Sequence, residues 1–389
     1  MSKVGIIGVG QSKFVRTYPG SVRELAFEGF KEAMQDAEIG VDAIDATVVC
    51  SAPEYDKQRS PAGVIAEYLG LNPQPTFYAE ALCASSSTGL KLAYSLVKSG
   101  LHDVVMVLGF QIMSQLSSAE SQERMGRGAD IQWESPFGTM MPAYYAMHAQ
   151  AHIAKYGTTL EDLAAVRVKA ATYGPLNEKG VFRKTITMEQ FEEPQGFVGG
   201  PVASPLRGGD CCANADGSSC IIVANEEKAK ALSSKPIWIK GLGSASAPVN
   251  MAGRDQLHGL IVAQQSAQQA YKMAGVTPQD IDVAEVHDCF TIAEIMAYEN
   301  LGFAKPGEGA ALIRSKETYK EGRIPVNIDG GLLSKGHPIG ATGGSQIRTI
   351  VLQLRGEAGE IQVKDPAIGL VHNIGGVGLY GHVTILGRD

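Results

Sequence analysis

Cys83 and His337 are the two side chains in this sequence whose surroundings most suggest chemistry. Cys83 lies in Leu82-Cys83-Ala84-Ser85-Ser86-Ser87-Thr88-Gly89, small residues that read as the opening of a helix. His337 lies in the glycine-rich stretch 329–344, where Gly336-His337-Pro338 precedes Ala341-Thr342-Gly343. Glycine permits close backbone approach, proline suits a first helical turn, and residues 345–354 have helical spacing, so His337 is expected at a helix N-terminus. A thiolate is a strong nucleophile, and a helix N-terminus and a neighbouring imidazole both favour its ionised form. That chemistry is acyl transfer.

Two further polar clusters follow short buried strands. In His287-Asp288-Cys289-Phe290, Cys289 offers a second thiol for proton transfer and His287 a donor for an oxyanion. In His372-Asn373-Ile374-Gly375-Gly376, the backbone N–H groups near Gly375 offer a second donor set beside that of Cys83. Loops at the ends of parallel strands are where such sheets keep their sites.

The elements that must hold these residues repeat. In the first half, strands are expected at 4–8, 45–51, 76–80 and 104–109, and helices at 22–37, 61–71 and 85–99. Leu90, Leu92, Ala93 and Leu96 should form the apolar face of the last helix. In the second half, Gly241-Leu242-Gly243-Ser244 echoes Gly8-Val9-Gly10-Gln11, a helix over 257–274 echoes 22–37, and strands are expected at 283–286 and 368–371. Cys83 stands six residues before Gly89 and His337 six before Gly343, each ahead of a helix and a strand. They therefore hold corresponding positions in two copies of one unit, and a pseudo-twofold packing would bring them together. Alternating strands and helices imply a layered α/β sheet that is at least partly parallel. The domains are expected at 1–115 with 211–232, an insertion at 116–210, and 233–389. The insertion carries helices at 143–156 and 160–173 and the aromatic group Trp133, Phe137, Tyr144 and Tyr145, which suits a substrate lid.

Composition excludes several classes. With 389 residues, 44% hydrophobic and 19% charged, the chain has the profile of a globular protein with a large core. A net charge of −7 with no basic run and no C-x-x-C pair supports neither nucleic-acid binding nor a zinc module. No window is apolar enough to span a membrane, and the first apolar run is too short for a signal peptide. Six cysteines without a secretory signal are expected as reduced thiols in the cytoplasm.

The Cys83 loop, Asn214-Ala215-Asp216-Gly217, Gly336-His337-Pro338 and the C-terminal glycine loop together resemble the thiolase superfamily over essentially the whole chain. His287-Asp288-Cys289-Phe290 stands where many thiolases have Asn-Glu-Ala-Phe, and Asn373-Ile374-Gly375 where they have Cys-x-Gly. Both departures resemble the sterol-carrier-protein-type and archaeal thiolases. The resemblance implies a five-layered α-β-α-β-α fold with duplicated halves and an inserted loop domain. It also implies Claisen condensation or thiolytic cleavage of coenzyme A thioesters, with coenzyme A as substrate and no tightly bound cofactor or metal. Cys83 would then be the nucleophile, His337 its base and Cys289 the acid/base. The substrates implied are acetyl-CoA and acetoacetyl-CoA, or a bulky aryl 3-oxoacyl-CoA such as benzoylsuccinyl-CoA. The partners implied are a second copy or three, a small OB-fold subunit and hydroxymethylglutaryl-CoA synthase. A ketosynthase-like enzyme or a non-catalytic acyl-CoA-binding scaffold are the other readings.

Overall fold

The structure is a computed structural model and describes residues 3–55, 58–138 and 140–389. Residues 1, 2, 56, 57 and 139 of the expected domains lie outside the described residues. The first half runs β1 (Val4–Gln11), α1 (Val22–Ala37), β2 (Ala46–Cys50), α2 (Pro61–Tyr68), β3 (Thr76–Ala79), α3 (Ser85–Lys98) and β4 (Val104–Gln111). Helices α4 (Ser118–Gly126), α5 (Met141–Tyr156) and α6 (Leu160–Tyr173) and the hairpin β5 (Pro201–Ala203) and β6 (Leu206–Arg207) follow. Strand β7 (Gly217–Asn225) and α7 (Glu226–Leu232) return to the first half. The second half runs β8 (Ile237–Ser246), α8 (Ile261–Ala274), β9 (Val283–Glu285), α9 (Thr291–Asn300), α10 (Gly309–Arg314), α11 (Gly331–Lys335), α12 (Thr342–Arg355), β10 (Ile368–Gly375) and β11 (Tyr380–Gly387).

The strand order is β3-β2-β4-β7-β1 in the first half and β8-β11-β10-β9 in the second. The two are joined where Gly5 and Ile6 face Trp238 and Ile237. Reading outward from β1 and from β8 gives the same sequence of element types, and Val326 bridges to Ala284 where β3 pairs with β2 in the other copy. The duplication is therefore present in three dimensions. Strand β2 runs parallel to β3 and β4, and β9 to β10, while the other pairings are antiparallel.

The strands read as continuous apolar runs because helices cover both faces. Between the half-sheets, Leu90, Ala93 and Val97 of α3 and Ile347, Ile350 and Leu354 of α12 share one core with Val107 and Val371. Helices α1 and α2 cover the outer face of the first half through Phe30, Ala33 and Ile65 against Ile7, Val49 and Leu108. Helices α8 and α9 cover the outer face of the second through Ala270 and Tyr298 against Leu370 and Ile385. The result is five layers, α-β-α-β-α. The excursion between β4 and β7 docks on the other half: Tyr145, Leu163 and Val166 pack against Ile292, Met296 and Leu333.

Four expectations need correction. Leu92 does not join the apolar face of α3 and is 42% exposed. Helix α8 begins at Ile261, so 257–260 is lead-in. Pro338 does not open α12; its carbonyl takes the N–H of Ala341 at 2.9 Å in a tight turn, and the helix starts at Thr342. Strand β10 runs on through His372 and Asn373 to Gly375 because its pairing with β11 continues residue by residue to Tyr380. Among the described residues no helix is long and apolar enough to cross a membrane.

Candidate active site

The first turn of α3 builds the Cys83 loop. The Ser85 hydroxyl accepts from Ala81 N–H at 3.0 Å and donates to the Leu82 carbonyl at 2.6 Å, fixing a turn in which Leu82 has φ of +54°. Cys83 stays half-buried, whereas Ser85, Ser86 and Ser87 behind it are buried. Those serines reach across the molecule. The Ser86 hydroxyl donates to the Gly340 carbonyl, and the Ser87 hydroxyl donates to Asn373 Oδ1 at 2.8 Å.

The His337 loop is fastened from below. Asp288 accepts the N–H groups of Leu332 and Leu333 at 2.8 and 3.4 Å, and Lys335 pairs with Asp329. Gly331 has φ of +58°, and a Cβ there would run into the Asp288 carboxylate. Gly336 has φ of +101°, a conformation that favours glycine. The turn places His337 with its N–H on the Ala213 carbonyl at 3.1 Å.

Two hydrogen-bond relays set the histidine tautomers. The Thr342 hydroxyl donates to the Pro338 carbonyl at 2.9 Å, so its oxygen accepts the Nδ1–H of His337 at 2.7 Å. That leaves Nε2 of His337 with a lone pair. Asn373, whose Oδ1 is occupied by Ser87, donates from Nδ2 to Nδ1 of His287 at 3.0 Å. Nε2 of His287 therefore carries the proton. The rings of His287 and His337 meet edge to face with centroids 5.1 Å apart. The donor atoms of Cys83, His287 and His337 all lie within 4.8 Å of one another.

Burial sets the protonation of the cluster. It lowers His337 to about 3 and holds His287 well below the usual histidine range, with His337 adding to the effect on His287. Both rings are neutral at neutral pH, one offering a base and the other a donor. Burial likewise pushes the Cys289 thiol well above its usual value, so that it holds its proton. The Tyr145 ring stacks on Phe290 with centroids 4.5 Å apart, its hydroxyl next to Cys289 and without a settled hydrogen-bond partner.

Cys83, His287, Cys289 and His337 all line one cavity of about 650 Å³. Its exposed lining residues, among them Phe197 and Val202, mark the mouth, and the buried histidines mark the floor. Gly376 lines the cavity; Gly375 ends β10 just behind it, packed on the Ala81 carbonyl of the Cys83 loop. His372 is buried on β10, and among the described residues neither ring nitrogen has a partner. Of the aromatic group named from sequence, only Tyr145 lines this cavity; Trp133 and Phe137 are 71% and 82% exposed. A metal bound at His287 Nε2 would force a proton onto Nδ1, facing the Asn373 N–H, so this donor set suits an organic ligand better than a cation. A larger cleft of about 800 Å³ contains none of these residues, and Arg355 and Arg388 in it are paired with Asp36 and Asp365.

Thr342, Arg16 and Arg167 were not legible as site residues, and Asn373, though part of a polar cluster seen in the sequence, gave no sign that it would set the His287 tautomer. Of the first three, only Arg167 leaves a trace, an arginine in the buried register of α6 beside Leu163, Val166 and Ala170.

Duplicated halves in five layers, meeting at a cysteine loop from one and a histidine loop from the other, define the thiolase fold. Family models agree: "Thiolase, N-terminal domain" matches residues 4–199 and "Thiolase C-terminal domain-like" matches 243–388, and the chain belongs to this family. It is 37% identical over 390 residues to an acetyl-CoA acetyltransferase of Methanothermobacter thermautotrophicus, with 100% of each chain covered. It is 33% identical over 380 residues to the benzoylsuccinyl-CoA thiolase subunit BbsB of Thauera aromatica, covering 96% of this chain and 95% of that one. Among solved structures it is similar to the Ltp2-ChsH2(DUF35) aldolase, with 25% identity and a TM-score of 0.86 over 100% of this chain and 98% of the other. The likeness to these thiolases supports an acyltransferase.

Proposed function

We propose that this chain is a thiolase that cleaves a 3-oxoacyl-CoA with coenzyme A, or runs the reverse Claisen condensation, through an acyl-enzyme on Cys83. The observation that carries this is the convergence of Cys83 with a lone pair on His337 and a proton on His287 in one cavity. His337 takes the thiol proton and the Cys83 sulfur adds to the 3-oxo carbon. Backbone N–H groups at Cys83 and Gly375 hold the resulting oxyanion. Collapse breaks the bond between C2 and C3, leaving the acyl group on Cys83 and an enolate on the departing thioester. His287 and the His337 imidazolium stabilise that enolate oxygen while Cys289 protonates C2. The thiol of coenzyme A, deprotonated in turn, attacks the Cys83 thioester and frees the shortened acyl-CoA.

The test is thiolysis of acetoacetyl-CoA combined with intact-mass analysis of the enzyme. Turnover with an acyl adduct on Cys83 supports the scheme, and turnover without one sinks it. A retro-aldol cleavage would need no such adduct.

The likeness to archaeal acetyl-CoA acetyltransferases favours acetyl-CoA and acetoacetyl-CoA. A bulkier aryl substrate of the benzoylsuccinyl-CoA kind is favoured by the lining of the cavity, where Tyr145, Phe182 and Phe290 converge. We further propose a cytoplasmic homodimer or homotetramer divided as 1–115 with 211–232, 116–210 and 233–389. A small OB-fold subunit, and hydroxymethylglutaryl-CoA synthase for the acetyl reading, are the proposed partners. The structural neighbour that carries a DUF35 partner supports the small subunit.

A further inference from the structure

Arg167 is a charged side chain in an uncharged-looking place. It is 2% exposed, sits on α6 and lines the cavity that holds Cys83. Its Nη1 is used, donating to the Leu333 carbonyl and to Ser334 Oγ at 3.3 Å. Among the described residues Nε is buried without a partner and no hydrogen bond reaches Nη2. The Nε–Nη2 edge is the fork that grips a carboxylate with two parallel hydrogen bonds.

Among the described residues no carboxylate occupies that fork. Asp288 is taken by Leu332 and Leu333 and Asp210 by Arg207 and Thr291, and among the described residues Arg167 is in no ion pair. Burial lowers its guanidinium only to about 10, which leaves it charged at neutral pH. Asp288 and Asp210 lie near enough to favour its charge, but among the described residues neither is hydrogen-bonded to it, and an arriving anion would supply the partners its fork lacks. A second guanidinium stands close by: Arg16 lies 4.8 Å and Arg167 5.3 Å from the centroid of the Phe182 ring. Arg16 is exposed, lines the same cavity and has no ion pair among the described residues. Phe182 is fixed by its N–H on the Ser334 carbonyl at 2.9 Å, one turn from His337.

We propose that Arg167 and Arg16 form an anion subsite that binds a carboxylate on the acyl portion of the acyl-CoA. The phosphates of coenzyme A are the competing anions. They lie a full pantetheine arm from the thioester, whereas Arg167 is a buried lining residue with Asp288, Cys212, Asp210 and Cys211 as electrostatic neighbours, and Cys212 N–H meets the Cys289 carbonyl at 3.0 Å. The substrate class is therefore a 3-oxo-dicarboxylic acid joined to coenzyme A at one end. This assignment rests on the thiolase reading only for the 3-oxo group.

Calorimetric titration of the full chain with the thioethers S-(5-carboxypentyl)-CoA and S-hexyl-CoA tests it, because neither can acylate Cys83 and both carry the same phosphates. The carboxylate-bearing thioether should bind about tenfold or more tightly, the scale of a hydrogen-bonded charge pair. Arg167→Gln should abolish that preference, Arg167→Lys should restore part of it, and the exposed Arg16→Gln should reduce it. Equal affinities in the unmodified protein would overturn the proposal, as would equal weakening of both ligands by Arg167→Gln, which would assign the arginine to the phosphates. Should Arg167→Gln fail to fold, the unmodified preference and its loss in Arg16→Gln decide. Acetoacetyl-CoA thiolysis by the same samples reports on the thiolase reading separately.

Discussion

The Cys83 loop and the His337 loop hold matching places in the two halves, yet they are built to opposite ends. Cys83 is half-buried at the top of a turn held by the Ser85 hydroxyl and one positive-φ leucine, with the contacts to the other half made behind it by Ser86 and Ser87. His337 is 5% exposed and is held by a hydroxyl relay, three positive-φ glycines and an ion-paired loop beneath it. A nucleophile must be reached by substrate and must move during attack, so its loop leaves it room. A base must present one nitrogen in one tautomer, so its loop allows no alternative. Duplication supplied two equivalent positions, and divergence made one accessible and the other fixed.

The strongest way to break this comparison is to remove the accessible partner. Cys83→Ala should lower acetoacetyl-CoA thiolysis by about 10⁴-fold or more and abolish the acyl adduct in intact-mass spectra. Loss of the fixed partner should be slightly less severe: His337→Ala should reduce kcat by about 10³-fold, within the range of general-base removal, with a smaller change in KM. Asn373→Asp tests the second relay. An aspartate would accept from His287 Nδ1 and strip the proton from Nε2, so kcat should fall about 10²-fold, the loss expected of one oxyanion donor. Asn373→Ala should be milder than Asn373→Asp, and the reverse order would argue against the tautomer assignment. Thr342→Val should cost about tenfold in kcat by freeing the His337 ring, the usual scale of a supporting hydrogen bond.

A further effect concerns stability and leaves the rates at neutral pH unchanged. Burial lowers His337 and His372 to about 3 and His148 and His382 to about 4, from 6.5. The unfolded chain binds these protons first as pH falls, so stability is fully present above pH 6.5 and declines from there to about 3. A Tm that stayed flat across that window would show that these rings gain protons in the folded state.

Helices α1 and α6 were legible residue for residue, because each has a capping residue, Ser21 or Thr159, ahead of an apolar stripe at helical spacing. The correspondence of Cys83 with His337 was legible because duplication leaves matching offsets. What escaped was set by contacts distant in sequence. Nothing near Asn373 announces that Ser87 will orient its amide, and nothing near Thr342 distinguishes a relay from an ordinary helix opening. The aromatic run was over-read for a related reason. Tyr145 follows the buried side of α5 into the cavity, whereas Trp133 and Phe137 precede that helix and face solvent.

The serines at the start of α3 carry one more consequence. Ser86 meets Gly340 across a separation of 254 residues, and Ser87 meets Asn373 across 286. Contacts of such span form late, after each half has ordered its own strands and helices. During refolding, recovery of activity should therefore trail recovery of helical signal, and neither half expressed alone contains a working centre. Mixing the two halves should rebuild it only where the middle layer of α3 and α12 can reassemble.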